Sequence, residues 1–106
     1  MITVRAMQPE DFDGWGRLWL GYLRFYRSES EVPDQTTADT FDRLATGRDG
    51  FAGRVAVDEH GGLVGLAHMV FHPSTWATAP SCYLEDLFVA PAARGTGAAA
   101  ALIDAV

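Results

Sequence analysis

With 106 residues, 48% hydrophobic and 21% charged, the chain has the composition of one globular domain or a large piece of one, and it has no room for two. A formal net charge of −6 argues against bulk nucleic-acid binding and is compatible with a cationic partner. No apolar run nears the roughly 18 residues that span a bilayer, no basic-then-apolar leader opens the chain, and the single cysteine excludes an intrachain disulfide or a thiolate-rich zinc site, so the expectation is a cytoplasmic protein without a membrane partner.

Ile2-Thr3-Val4-Arg5 alternates apolar and polar residues, as a short strand does. Pro9 then stands where a helix can begin, with Glu10, Asp11 and Asp13 in its first turns. Phe12, Trp15, Trp19, Tyr22 and Tyr26 recur at spacings of three and four, which lines them along one face of a helix running to about Arg27. The stripe reads as core, while its last members, Tyr22 and Tyr26, are candidates to reach a substrate pocket. Gly14, Gly16 and Gly21 weaken this helix by roughly 1 kcal/mol each relative to alanine, so packing must hold it. After a polar loop from Ser28 to Gln35, Thr36 and Asp39 resemble a capping pair. Phe41 and Leu44 give a short second helix its apolar side, and Gly47 ends it.

From Phe51 the period changes. Ala52 to Val57 reads as a strand, Asp58 to Gly62 as a turn and Leu63 to His72 as a second strand, together an antiparallel hairpin. Pro73 to Pro80 connects to a third strand, Ser81 to Val89. The order β-α-α-β-β-β-α predicts an α/β fold with a mixed, mostly antiparallel sheet. His68 and His72 have the spacing of a metal pair, but on a strand they lie about 13 Å apart, so no metal site is expected. Cys82 reads as an inert strand thiol rather than a nucleophile.

The last quarter carries the chemistry. Behind the strand ending at Val89 come Ala90-Pro91-Ala92-Ala93, the loop Arg94-Gly95-Thr96-Gly97 and an alanine-rich helix. That order gathers unpaired first-turn N–H groups around one point, suited to phosphate, with Arg94 adding a fixed charge and two glycines allowing close backbone approach. A Walker loop fails, because Ala98-Ala99 follow where Lys-Ser or Lys-Thr is needed. Gly95-Thr96-Gly97-Ala98-Ala99-Ala100 matches the dinucleotide pattern G-x-G-x-x-A, yet the strand and acidic residue that pattern requires some twenty positions on are not present, so a nucleotide-binding fold stays open only as an alternative.

Arg94-Gly95-Thr96-Gly97-Ala98-Ala99 resembles the cofactor motif of the GNAT acetyltransferase superfamily, and Cys82-Tyr83-Leu84-Glu85-Asp86-Leu87-Phe88-Val89 is similar to the preceding strand of its diamine and histone-type branch. The resemblance implies a GNAT fold over residues 1–106, incomplete at its C-terminus. It also implies transfer of an acetyl group from acetyl-CoA to a primary amine, whether polyamine, small amine or lysine-containing peptide. Backbone groups of Leu87, Phe88 and Val89 would pair with the pantetheine arm. Arg94, Gly95, Thr96, Gly97, Ala98 and Ala99 would hold the pyrophosphate. Glu85 takes the place of the proposed general base, and Trp76 that of a tryptophan near the acceptor. Adjacent Asp86 points to the opposite face if the strand is regular. The strand edge and helix face left uncovered predict a homodimer. A catalytically silent CoA-binding or protein-interaction module is the second reading.

Overall fold

The computed structural model describes residues 1–106, the side chain at position 29 excepted. Four strands, β1 (Thr3–Ala6), β2 (Phe51–Val57), β3 (Leu63–His72) and β4 (Ser81–Val89), form one sheet in chain order, and every pairing in it is antiparallel. Two helices, α1 (Phe12–Phe25) and α2 (Asp34–Thr46), lie between β1 and β2 in sequence, and α3 (Ala98–Asp104) follows β4. The α/β architecture and the element order are those expected from the sequence.

Alternation along the strands sorts their side chains onto two faces, and each face builds its own core. On one, Val55 and Leu66 pack with Trp15, Leu18, Trp19 and Leu23 of α1 and with Phe41 and Leu44 of α2. On the other, Ala56, Ala67 and Val89 meet Ala98 and Leu102 of α3, with small residues letting the helix sit close. No helix among the described residues is long and apolar enough to cross a membrane.

The aromatic stripe of α1 is largely core, as its spacing predicts. Trp15 and Trp19 are buried and stack at 5.8 Å, Trp19 stacks on Tyr22 at 5.5 Å, and exposure grows toward Tyr26. The helix glycines have two different reasons. A Cβ at Gly14 would stand 2.8 Å from Leu63 Cδ1 and one at Gly21 3.3 Å from the Phe88 ring, so these two let α1 approach the sheet, whereas Gly16 faces open space. Pro9 opens a short 3-10 turn before α1, and the turn is latched to β1: Arg5 gives a two-pronged ion pair to Asp11 at 2.8 and 2.9 Å while Asp11 also accepts the Gln8 N–H. The Arg5 hydrogen bonds, with help from Gln8, hold the Asp11 carboxyl below its usual range.

The start of α2 differs from the capping pair expected at Thr36 and Asp39. The helix begins at Asp34 behind Pro33, and Asp39 instead pairs with Arg43 at 3.2 Å and with Arg48 at 3.0 Å. Those ion pairs leave Asp39 facing the C-terminal half of α2, where Gly47 closes the helix in a left-handed conformation, as anticipated.

Candidate functional site

The middle of β4 departs from a regular ladder. Leu84 pairs with Met69 and Asp86 with His68, so Glu85 is an extra residue without a partner across the strand, a β-bulge. Asp86 therefore does not turn away from Glu85, as a regular strand requires. Both carboxylates line one cavity of about 380 Å³ on the face covered by α1 and α2. Trp19, Val32, Phe51 and Val70 supply its apolar walls, and His68, Thr36, Thr40 and Arg43 its other polar groups.

His68 connects this cavity to the core. Its Nδ1 lies 2.9 Å from Asp86 Oδ2, and its Nε2 accepts the indole N–H of Trp15 at 2.9 Å. Trp15 is fully buried and His68 is 2% exposed, so the pair is shielded from water. Glu85, by contrast, is exposed. On the far side of Asp86 stands Tyr22, whose phenol is pushed up by burial first and then by the Asp86 carboxylate. Arg43 lies against the Phe51 ring at 4.2 Å and within ion-pair reach of Asp39, so its charge is largely balanced before any ligand enters.

A second cavity, of about 330 Å³, adjoins the end of β4. Leu87, Phe88 and Val89 line it with Tyr22, Phe25 and Tyr26 of α1, and Arg94 and Ala99 close it on the loop side. Tyr22 and Tyr26 thus stand beside the strand end, not in the cavity that holds Glu85. Trp76 is 97% exposed in the loop between β3 and β4 and lines neither cavity.

The loop itself forms a shallow recess of about 220 Å³ bounded by Arg94, Gly95, Gly97 and Ala98 to Ala100. Gly95 and Gly97 have φ of +86° and +88°, a conformation that side chains rarely adopt, and a Cβ at either would project into open space. Thr96 is tied back to its own loop, its hydroxyl and N–H both donating to the Ala93 carbonyl, at 2.6 and 3.3 Å. Among the described residues, the N–H groups of Gly95, Gly97, Ala98, Ala99 and Ala100 meet no protein acceptor. Arg94 is anchored by a 3.3 Å hydrogen bond from Nε to the Val89 carbonyl, with its guanidinium carbon 6.0 Å from the centre of the Phe88 ring, between the recess and the strand-end cavity that it also lines. An array of free N–H groups beside a held guanidinium fits a pyrophosphate.

The strand-end cavity, the loop recess and the acidic cavity lie in series along β4. The chain belongs to the acetyltransferase (GNAT) family, whose family model matches residues 13–106. It is 32% identical to the D-amino-acid N-acetyltransferase HPA3 of Saccharomyces cerevisiae over 106 residues, 99% of this chain and 65% of that protein. The chain thus spans a little under two thirds of that curated relative. Among solved structures, AAC(6')-Iy bound to a CoA bisubstrate analogue superposes with a TM-score of 0.80 at 22% identity, over 99% of this chain and 68% of the other. A ribosomal-protein-alanine N-acetyltransferase from Brucella melitensis gives 0.75 at 19% identity, again over 99% and 68%. These likenesses confirm the fold.

Sequence reasoning found the loop, the strand and Glu85, but it missed two members of the cavity. A regular strand would put Asp86 on the face opposite Glu85, and the bulge removes that condition, while the spacing of His68 and His72 points to His68 only as a metal ligand. The signal was two acids side by side in an otherwise apolar strand, which breaks the period of two and leaves Leu84 and Leu87, on positions of opposite parity, facing the same core.

Proposed function

We propose that the protein is an acetyl-CoA-dependent N-acetyltransferase that acts on a primary amine. One observation carries the reading: along Glu85–Val89, β4 runs from a cavity holding two carboxylates to a strand end that opens on a main-chain phosphate cradle. Acetyl-CoA supplies the thioester whose acetyl group is transferred. The N–H groups of Gly95 and Gly97 to Ala99 hold its pyrophosphate with Arg94, and the backbone of Leu87, Phe88 and Val89 directs its arm along β4.

An amine reaches the site as an ammonium ion, and the acidic cavity favours that form. Glu85, exposed and unpaired, accepts its proton through water so that the nitrogen lone pair can attack the carbonyl. The C–N bond forms, the nitrogen gives up its second proton through water to the departing sulfur, the C–S bond breaks, and CoA leaves as the thiol. The acceptor is a polyamine, a small amine or a lysine-like side chain. The names of the relatives, which include D-amino-acid and aminoglycoside acetyltransferases, share the amine and differ in everything around it.

Calorimetry with acetyl-CoA and with NAD tests the cofactor, and thiol release against spermidine, a lysine peptide and D-alanine tests the reaction. Acetyl-CoA binding with amine-dependent thiol release is expected. NAD binding in place of CoA would overturn the proposal, and CoA binding without turnover would mark a silent binding module.

A further inference from the structure

Resting on the amine-acetylation reading, we infer that His68, held by Trp15, is a positioning residue that fixes Asp86 as the anchor for the acceptor's ammonium group. Both ring nitrogens of His68 are committed, Nε2 to the Trp15 indole and Nδ1 to Asp86 Oδ2, each at 2.9 Å. An indole nitrogen only donates, so Nε2 carries no proton and the ring's single proton sits on Nδ1, shared with Asp86. The chain ends at Trp15, a side chain that does not exchange protons in this role. No proton leaves through His68.

The chain therefore serves to orient a carboxylate. One lone pair of Asp86 Oδ2 is taken by His68, the Tyr22 phenol stands on the far side of the carboxylate, and the side chain, 15% exposed, lines the cavity where its remaining acceptor positions meet a donor. Burying an imidazole and a carboxylate in an aromatic wall is costly unless both are hydrogen-bonded, and filling the space alone would be served by an apolar side chain. The contact belongs to the unbroken register that runs from Val89 opposite Gly65 to Asp86 opposite His68, and the bulge beyond it adds Glu85 to the same cavity. The two acids then divide the work. Asp86 is fixed and binds the ammonium, while exposed Glu85 takes the proton.

The test compares His68→Leu, which removes the donor, with His68→Asn, whose amide N–H can stand in for Nδ1–H. For the amine that the full-length wild type turns over fastest, His68→Leu is expected to raise the acceptor KM about tenfold with the acetyl-CoA KM changed less than about twofold, and His68→Asn to restore most of the loss. Added to Asp86→Asn, His68→Leu is expected to cost little more, because its effect runs through that carboxylate. Nitrogen NMR shifts of the wild-type ring are expected to show a protonated Nδ1 and a bare Nε2. Equal failure of both His68 variants, a loss spread equally onto acetyl-CoA, or an Nε2-protonated ring would overturn the inference. If wild type binds CoA but acetylates no amine, the proposed function falls and takes this inference with it, while the ring shifts still report whether the hydrogen-bond chain forms.

Discussion

The loop from Arg94 to Ala100 and the bulge at Glu85 are neighbours in sequence and are built on opposite principles. The loop presents main chain. Its N–H groups are aimed by a few backbone angles, chiefly the positive φ at Gly95 and Gly97, and among the described residues its side-chain hydrogen bonds are short-range ones from Arg94 and Thr96. The bulge presents side chains, and their placement depends on residues far away in the chain: Asp86 is held by His68 on β3, and His68 by Trp15 on α1, 53 positions from it. A main-chain site is local and tolerates many side chains. A side-chain site inherits every shift in the packing of the domain, so its failure modes are those of the fold.

The largest effect expected at the bulge is from Glu85→Gln. Losing a general base should lower kcat by about a hundredfold or more while calorimetry finds acetyl-CoA affinity near wild type. Equal losses in both would erase the distinction between the two regions. At the loop, Arg94→Ala should weaken acetyl-CoA about tenfold, the usual worth of a charged hydrogen bond, and leave the acceptor KM unchanged.

A smaller effect comes from loosening α1, which carries Trp19 to the acidic cavity and Tyr22, Phe25 and Tyr26 to the cavity at the end of β4. Asp11→Asn breaks the latch to Arg5 and should cost about 1–2 kcal/mol in urea unfolding. The pH dependence follows from the sign of the shift. Arg5 lowers the folded-state pKa of Asp11 below its unfolded value, so this contribution is complete above the unfolded carboxyl range and is lost as pH falls through the folded value. The mutant should therefore show a flatter acid limb than wild type. The smallest effects separate two glycines of the same helix: Gly16→Ala, which meets nothing within 4 Å, should stabilise by about 0.5–1 kcal/mol, whereas Gly14→Ala pushes on Leu63 and should destabilise.

The same contrast explains what could be read from the sequence. The bounds of β3 and β4 and the glycine at the end of α2 follow from local chemistry, and the loop from Arg94 to Ala99 was legible for the same reason: a strand exit, two glycines and an arginine in a short run have few other uses. The cavity was legible only in part. Glu85 stood out by its place in a strand, and the paired acids break the period of two there, but that break does not by itself set the slip, which is settled by which residues of β3 and which helices accept the two cores. His68 was invisible as Asp86's partner for the same reason. Only the antiparallel pairing brings positions 68 and 86 side by side. The start of α2 failed similarly, since Asp39 found arginines nine residues or fewer away that outcompete a backbone cap.

A two-step amide NMR titration tests the division between the regions most directly. Adding CoA is expected to shift the amides of Gly95, Gly97 and Ala98 to Ala100 and of Leu87 to Val89, with the His68 ring unmoved. Adding the acceptor amine afterwards should then shift the His68 ring and the amides of Glu85 and Asp86. CoA shifts centred on the acidic cavity, or an amine response confined to the loop, would contradict the account.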